Sequence, residues 1–190
     1  NFLENNLKKS MVSGAIWTVI GQIGYYGIAI VVNIILARIL TASDFGQLGI
    51  ALFFIGIARV LSESGLSAAL IRNKQANDLD FSTIFIFNFI ISIALVSLLI
   101  FSSGYIANFY NDAELKFILS FTSFSLIINS FSFVQTTKML REMRFKQKAI
   151  YDFTSIFFAS FVAIFLATKN YGVWSLIIMQ MLTSLINVIL

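Results

Sequence analysis

The stretch FSTIFIFNFIISIALVSLLIF, residues 81–101, carries no charged side chain, no Gly and no Pro over its whole length. A helix needs roughly 20 mainly apolar residues to cross about 30 Å of hydrocarbon, and this segment meets that requirement by itself. Five more apolar stretches of comparable length flank it, at residues 14–36, 45–61, 115–133, 149–167 and 174–190. Together they predict an all-α, polytopic transmembrane bundle in which residues 1–190 form one six-helix unit.

Composition agrees. The chain is 58% hydrophobic and only 12% charged, against roughly 25% charge in ordinary soluble domains. The first apolar stretch, after Lys8 and Lys9, is too long for a signal-peptide core and has no small-residue cleavage site, so it is expected to remain as a helix. There is no Cys and no His, which removes thiol nucleophiles, disulfides and the common zinc sets. No metal and no cofactor are expected beyond a coupling proton or cation. The chain opens on Asn1 and stops at Leu190 within an apolar run, so it reads as part of a longer protein.

Lys and Arg fall on alternate connections. Lys8, Lys9, Arg59, Arg72, Lys74, Lys138, Arg141, Arg144, Lys146 and Lys148 lie on one side, and Arg38, Lys116 and Lys169 on the other. The positive-inside rule then places the N-terminus and the 134–149 connection in the cytoplasm. The net charge of +4 is explained by topology, and a nucleic-acid partner, which needs a basic face on a water-exposed module, is not expected.

Polar residues gather on stripes. Thr18, Gln22, Tyr26, Ala29 and Asn33 share one face of helix 1, with Gly21, Gly24 and Gly27 beside it to admit a neighbouring helix. Thr122, Ser125, Asn129, Ser132 and Thr136 do the same on helix 4, and Gln180, Thr183, Ser184 and Asn187 on helix 6. Such stripes either hydrogen-bond across helix contacts or line a wet cavity. Three together favour a cavity, with Gln22, Tyr26, Asn33, Asn129 and Asn187 on its wall.

Arg59 and Glu63 stand one turn apart on helix 2, spaced to pair, and Arg59 is a candidate anion contact or gate; the alternative is snorkelling to the interface. Asp152, near the start of helix 5, is the one carboxylate placed to carry a coupling ion, although a helix N-terminal acid is favoured by the dipole alone. Residues 138–150 put Lys138, Arg141, Arg144 and Lys148 on one side and read as a basic amphipathic helix on anionic membrane lipid.

Four stretches resemble the polysaccharide and O-antigen exporters of the multidrug/oligosaccharidyl-lipid/polysaccharide superfamily, in the branch of the colanic-acid exporter. They are Gly14-Ala15-Ile16-Trp17 leading to Leu36-Ala37-Arg38-Ile39-Leu40-Thr41-Ala42-Ser43-Asp44-Phe45-Gly46; Ser64-Gly65-Leu66-Ser67-Ala68-Ala69-Leu70-Ile71-Arg72; Ala107-Asn108-Phe109-Tyr110-Asn111-Asp112; and Arg141-Glu142-Met143-Arg144-Phe145-Lys146 with Tyr171-Gly172-Val173-Trp174-Ser175-Leu176. One departure is Ala42, where the family usually has Pro, which leaves the turn after helix 1 less rigidly set. The resemblance implies the N-terminal lobe of a two-lobe flippase, and with it a cytoplasmic (inner) membrane location. Such a protein moves a polyprenyl-pyrophosphate-linked oligosaccharide by alternating access, beside a glycan polymerase and chain-length machinery. Arg59 would then suit a pyrophosphate, and Tyr25 and Tyr26 sugar faces.

Three competing readings remain. An enzyme such as a membrane glycosyltransferase needs poised carboxylates or metal ligands, while the outer connections offer only Asp44, Asp112 and Glu114; no enzyme is expected. Drug or small-cation efflux would share the fold but calls for an acidic site. A scaffold subunit would require that no second lobe exist.

Overall fold

The computed structural model describes the backbone of residues 2–63, 70 and 78–190, and the side chains of residues 14, 16–62, 70 and 79–190. Arg72, Lys74 and all of the 64–72 motif except Leu70 lie outside the described residues, as do the side chains of Lys8, Lys9 and Glu63. The expected pairing of Arg59 with Glu63 therefore lies outside them too.

Among the described residues six long helices follow one another: α1 Phe2–Ala37, α2 Ala42–Glu63, α3 Asp78–Phe109, α4 Glu114–Arg141, α5 Phe145–Thr168 and α6 Val173–Ile189. Each contains one of the six apolar stretches. Five hold segments long and apolar enough to cross a membrane, and α6 is a shorter apolar helix. The outer faces are studded with large apolar side chains, such as Ile23 at 67%, Phe101 at 81% and Phe161 at 63% exposure, a surface that only lipid or another apolar partner can solvate. The chain is a multi-pass membrane protein.

The helices run past the apolar stretches at several ends, because polar side chains beyond the hydrocarbon do not stop a helix in a chain without Pro. Three turns on one side of the bundle are built by specific caps. Between α1 and α2, the Thr41 amide and hydroxyl both donate to Asp44 Oδ2, at 2.8 and 2.7 Å, and the Asp44 amide donates back to Thr41 Oγ1 at 3.3 Å. This reciprocal cap fixes the start of α2 with Ala42 in the first helical position, the place where Pro is otherwise favoured. The turn is thus set by side-chain hydrogen bonds rather than by a ring.

Between α3 and α4, Asn111 takes the left-handed conformation at φ 53°, which Asn tolerates better than most residues. Asp112 Oδ1 accepts from the Glu114 and Leu115 amides at 3.0 and 3.3 Å. Its other oxygen accepts from Gln47 Nε2 at 2.7 Å, tying this turn to α2. Between α5 and α6, Gly172 adopts φ 55° and ψ −136°, a region essentially reserved for Gly. It packs against the Asp44 carboxylate.

Behind these turns the bundle is close-packed. Ala51, Ala107, Leu115, Ile118, Leu119, Val173 and Ile177 form one buried cluster, and Val32, Leu36, Ala163, Ala167 and Leu176 a second. A third, of Ile55, Ala58, Val96, Leu99 and Leu126, joins α2, α3 and α4. Between α2 and α3 the buried Asn88 donates to the Ser62 carbonyl and hydroxyl at 3.0 and 3.1 Å, and Ser62 Oγ lies 3.1 Å from Ser92 Oγ.

α1 packs chiefly on α5, α5 on α6, α6 on α4, and α4 on α3, with α2 against α3, α4 and α6. The α1–α5 seam is close because Gly14, Gly21 and Gly24 face Phe145, Ala149 and Phe153. Gly27 does not share that role, since nothing lies within 4 Å of a Cβ placed there.

Candidate functional site

The interior of the bundle holds a cavity of about 640 Å³ between α1, α2, α4, α5 and α6, within the range of small-molecule sites. Nearest the capped turns it is lined by Leu176 of the second buried cluster and by Leu48 and Met179, which pack against that cluster. From there it reaches Leu140, Phe145 and Lys148, beside the 142–144 turn. It therefore lies on the side opposite the three capped turns.

α1 supplies Thr18, Gln22, Tyr26 and Asn33 of its polar stripe to the wall, together with the adjacent Tyr25; Ala29 of the stripe does not line it. Tyr25 and Tyr26 meet edge to face with ring centroids 5.6 Å apart. α2 contributes Arg59, α4 contributes Asn129, and α6 contributes Gln180, Thr183, Ser184 and Asn187. Asn187 is oriented by Ser155 of α5, whose hydroxyl donates to its Oδ1 at 2.8 Å. Gln22, Tyr26, Asn33, Arg59, Asn129 and Asn187 thus face one space, along with Asp152.

Asp152 is not a lone carboxylate. Lys148 Nζ approaches its Oδ2 to 2.5 Å, one turn along α5, with both side chains partly buried. The charged residues among the described lining are Arg59, Lys148 and Asp152, a balance of +1. The site combines amide donors and acceptors, two aromatic faces and cationic groups, the equipment to hold a polyhydroxylated anion.

A family model described as "Polysaccharide biosynthesis protein" matches residues 35–190. The chain belongs to that family. Three relatives carry the same theme. The succinoglycan biosynthesis transport protein ExoT of Rhizobium meliloti (strain 1021) is 24% identical over 179 residues, which is 94% of this chain and 36% of the relative. The lipopolysaccharide biosynthesis protein WzxC of Escherichia coli (strain K12) is 24% identical over 182 residues, 96% of this chain and 36% of the relative. The teichuronic acid biosynthesis protein TuaB of Bacillus subtilis (strain 168) is 28% identical over 123 residues, 65% and 26% of the two chains. This chain spans about a third of the length of the first two relatives. No solved structure matches it significantly.

In this polysaccharide biosynthesis family member, several residues of the stretches that carry the resemblance are turn builders. Thr41, Asp44, Asn111, Asp112 and Gly172 belong to the capped side and not to the cavity. They position the helices whose other ends carry the polar wall.

Two sequence expectations need correction. Of the α4 stripe only Asn129 reaches the cavity. Thr122 is fully buried and donates to the Ile118 carbonyl at 2.5 Å, and Ser132 donates to the Asn129 carbonyl at 3.0 Å, whereas Ser125 is buried with its hydroxyl unpartnered. Ser and Thr can satisfy themselves on their own helix, so a hydroxyl stripe alone does not require a cavity.

Residues 138–150 do not form one surface helix either. α4 ends at Arg141, Met143 turns left-handed at φ 56°, and α5 starts at Phe145. The cations accordingly point different ways. Arg141 sits over the Phe81 ring at 5.5 Å, Lys146 over Trp17 at 5.0 Å, Arg144 pairs with Glu142 at 2.7 Å, and Lys148 turns into the cavity. Lys138, Arg141 and Arg144 are outside the cavity wall. Lys148 is the wall residue that sequence reading put in the wrong place, and its spacing from Asp152 was the available signal.

Proposed function

We propose that this chain is one lobe of a two-lobe exporter that carries a polyprenyl-pyrophosphate-linked oligosaccharide across the cytoplasmic membrane by alternating access. The observation that carries the reading is the convergence of Gln22, Asn33, Asn129 and Asn187 with Arg59 and Lys148 on one cavity within a membrane bundle. Amides from three helices suit sugar hydroxyls, and the cations suit a diphosphate. With the N-terminus in the cytoplasm, the cavity lies on the side where lipid-linked sugars would enter. The names of the relatives, a succinoglycan biosynthesis transport protein among them, support a role in transport for polysaccharide biosynthesis.

An enzyme is disfavoured because the outer acids have structural work. Asp44 and Asp112 are both occupied in helix caps. Cation efflux is disfavoured because Asp152, the cavity carboxylate, is held by Lys148.

The test is complementation. The full-length protein should restore surface polysaccharide in cells lacking their own exporter, and Arg59→Ala should not, at equal membrane levels. Restoration by both would reduce Arg59 to a topological charge. Restoration by neither, despite normal insertion and a matched glycan, would overturn the export reading.

A further inference from the structure

Lys148 occupies an awkward position. It lies in the first turn of α5, where the helix dipole disfavours a cation and favours an anion. Its partner Asp152 follows at i+4, the weaker of the two orders for such a pair. Both side chains line the cavity, at 33% and 29% exposure. Across the space stand Arg59 of α2 and Tyr25 and Tyr26 of α1, and Tyr25 is within electrostatic reach of both Asp152 and Arg59.

We infer that Asp152 is an internal counter-anion. It occupies Lys148 while the cavity is empty and is displaced from it when a diphosphate binds, so that it limits affinity and speeds release. This rests on the diphosphate reading given above and adds a role for a residue of negative charge in an anion site. A lysine ammonium has three donors, and Asp152 engages it through a single carboxylate oxygen, so a multiply charged ligand offering several oxygens competes for the same group. A carrier needs that balance, since an anion held too tightly by cations does not leave. The dipole of α5 then favours the incoming anion at the place where it disfavours Lys148 by itself.

The experiment titrates inorganic pyrophosphate into the full-length protein in detergent, by calorimetry, with sulfate as the reference anion. Asp152→Asn should tighten pyrophosphate binding roughly two- to fivefold, the scale of one partly exposed ion pair. Lys148→Gln should weaken it. In the Lys148→Gln background, Asp152→Asn should lose most of its tightening effect, which separates direct competition from a general change of charge. Asp152→Ser serves as a second neutral variant, and Asp152→Glu, which keeps the charge, should bind like the wild type.

If the wild type binds and Lys148→Gln weakens binding, but the neutral variants at 152 bind no tighter, the counter-anion role is overturned and the diphosphate site stands. Equal tightening with and without Lys148 overturns it likewise. If no form binds pyrophosphate better than sulfate, the diphosphate reading falls and takes the counter-anion with it.

Discussion

Gly21 of α1 lies so close to Ala149 of α5 that a Cβ on Gly21 would come within 2.5 Å of the Ala149 Cβ. Both residues also line the cavity, so the contact sets the spacing of its wall as well as the packing of the seam. In a membrane, where lipid is as apolar as Leu, such close backbone approach is a main source of helix association. Gly21→Leu should force α1 away from α5, at a cost of about 1–3 kcal/mol, seen as a lower unfolding midpoint in detergent together with weaker export. Gly27→Leu, at a position with open space around it, should leave the midpoint unchanged. Equal effects at the two glycines would show that the seam is not what holds α1.

The start of α6 makes a second prediction. Gly172→Ala places a side chain at φ 55° and 2.9 Å from Asp44 Oδ1, combining backbone strain of order 1–3 kcal/mol with a clash against the α2 cap. Asp44→Ala removes that cap at about 1 kcal/mol. The double variant should lose less than the sum, because the Asp44 carboxylate is what the methyl group added at position 172 would strike. Thermal unfolding of the four forms measures this directly, and strict additivity would dissociate the two turns.

Water access to the cavity is the third. Single cysteines at Gln22, Asn33, Asn129 and Asn187 should react with a small charged maleimide in the full-length protein, and cysteines at the outward-facing Ile23 and Phe161 should not. The chain has no Cys of its own to remove. Protection of all four cavity positions would convert the polar wall into a set of helix contacts.

The six helices were legible because apolar runs of membrane length leave little choice, and the α1 stripe was legible because Gln22 and Asn33 cannot satisfy their amides on their own backbone as a hydroxyl can. The α4 stripe misled for the converse reason: Thr122 and Ser132 bond to their own helix and need no cavity. Where the chain breaks within the 134–149 connection could not be read, because Met143 takes its positive φ without Gly or Pro nearby to announce it. With that break unplaced, the direction of Lys148 could not be derived. Asn88, buried with Ser62 and Ser92, also gave no signal, as a single polar residue in an otherwise apolar run looks the same whether it faces lipid or a neighbouring helix.

The caps at Thr41–Asp44, Gln47–Asp112 and Gly172 all lie at one end of the bundle. A purse stitched along one edge can change shape only at the other. The room inside the bundle is therefore bounded at its open end by the residues around Arg59, Leu140, Lys148 and Asn187, while the stitched edge holds the helices in register.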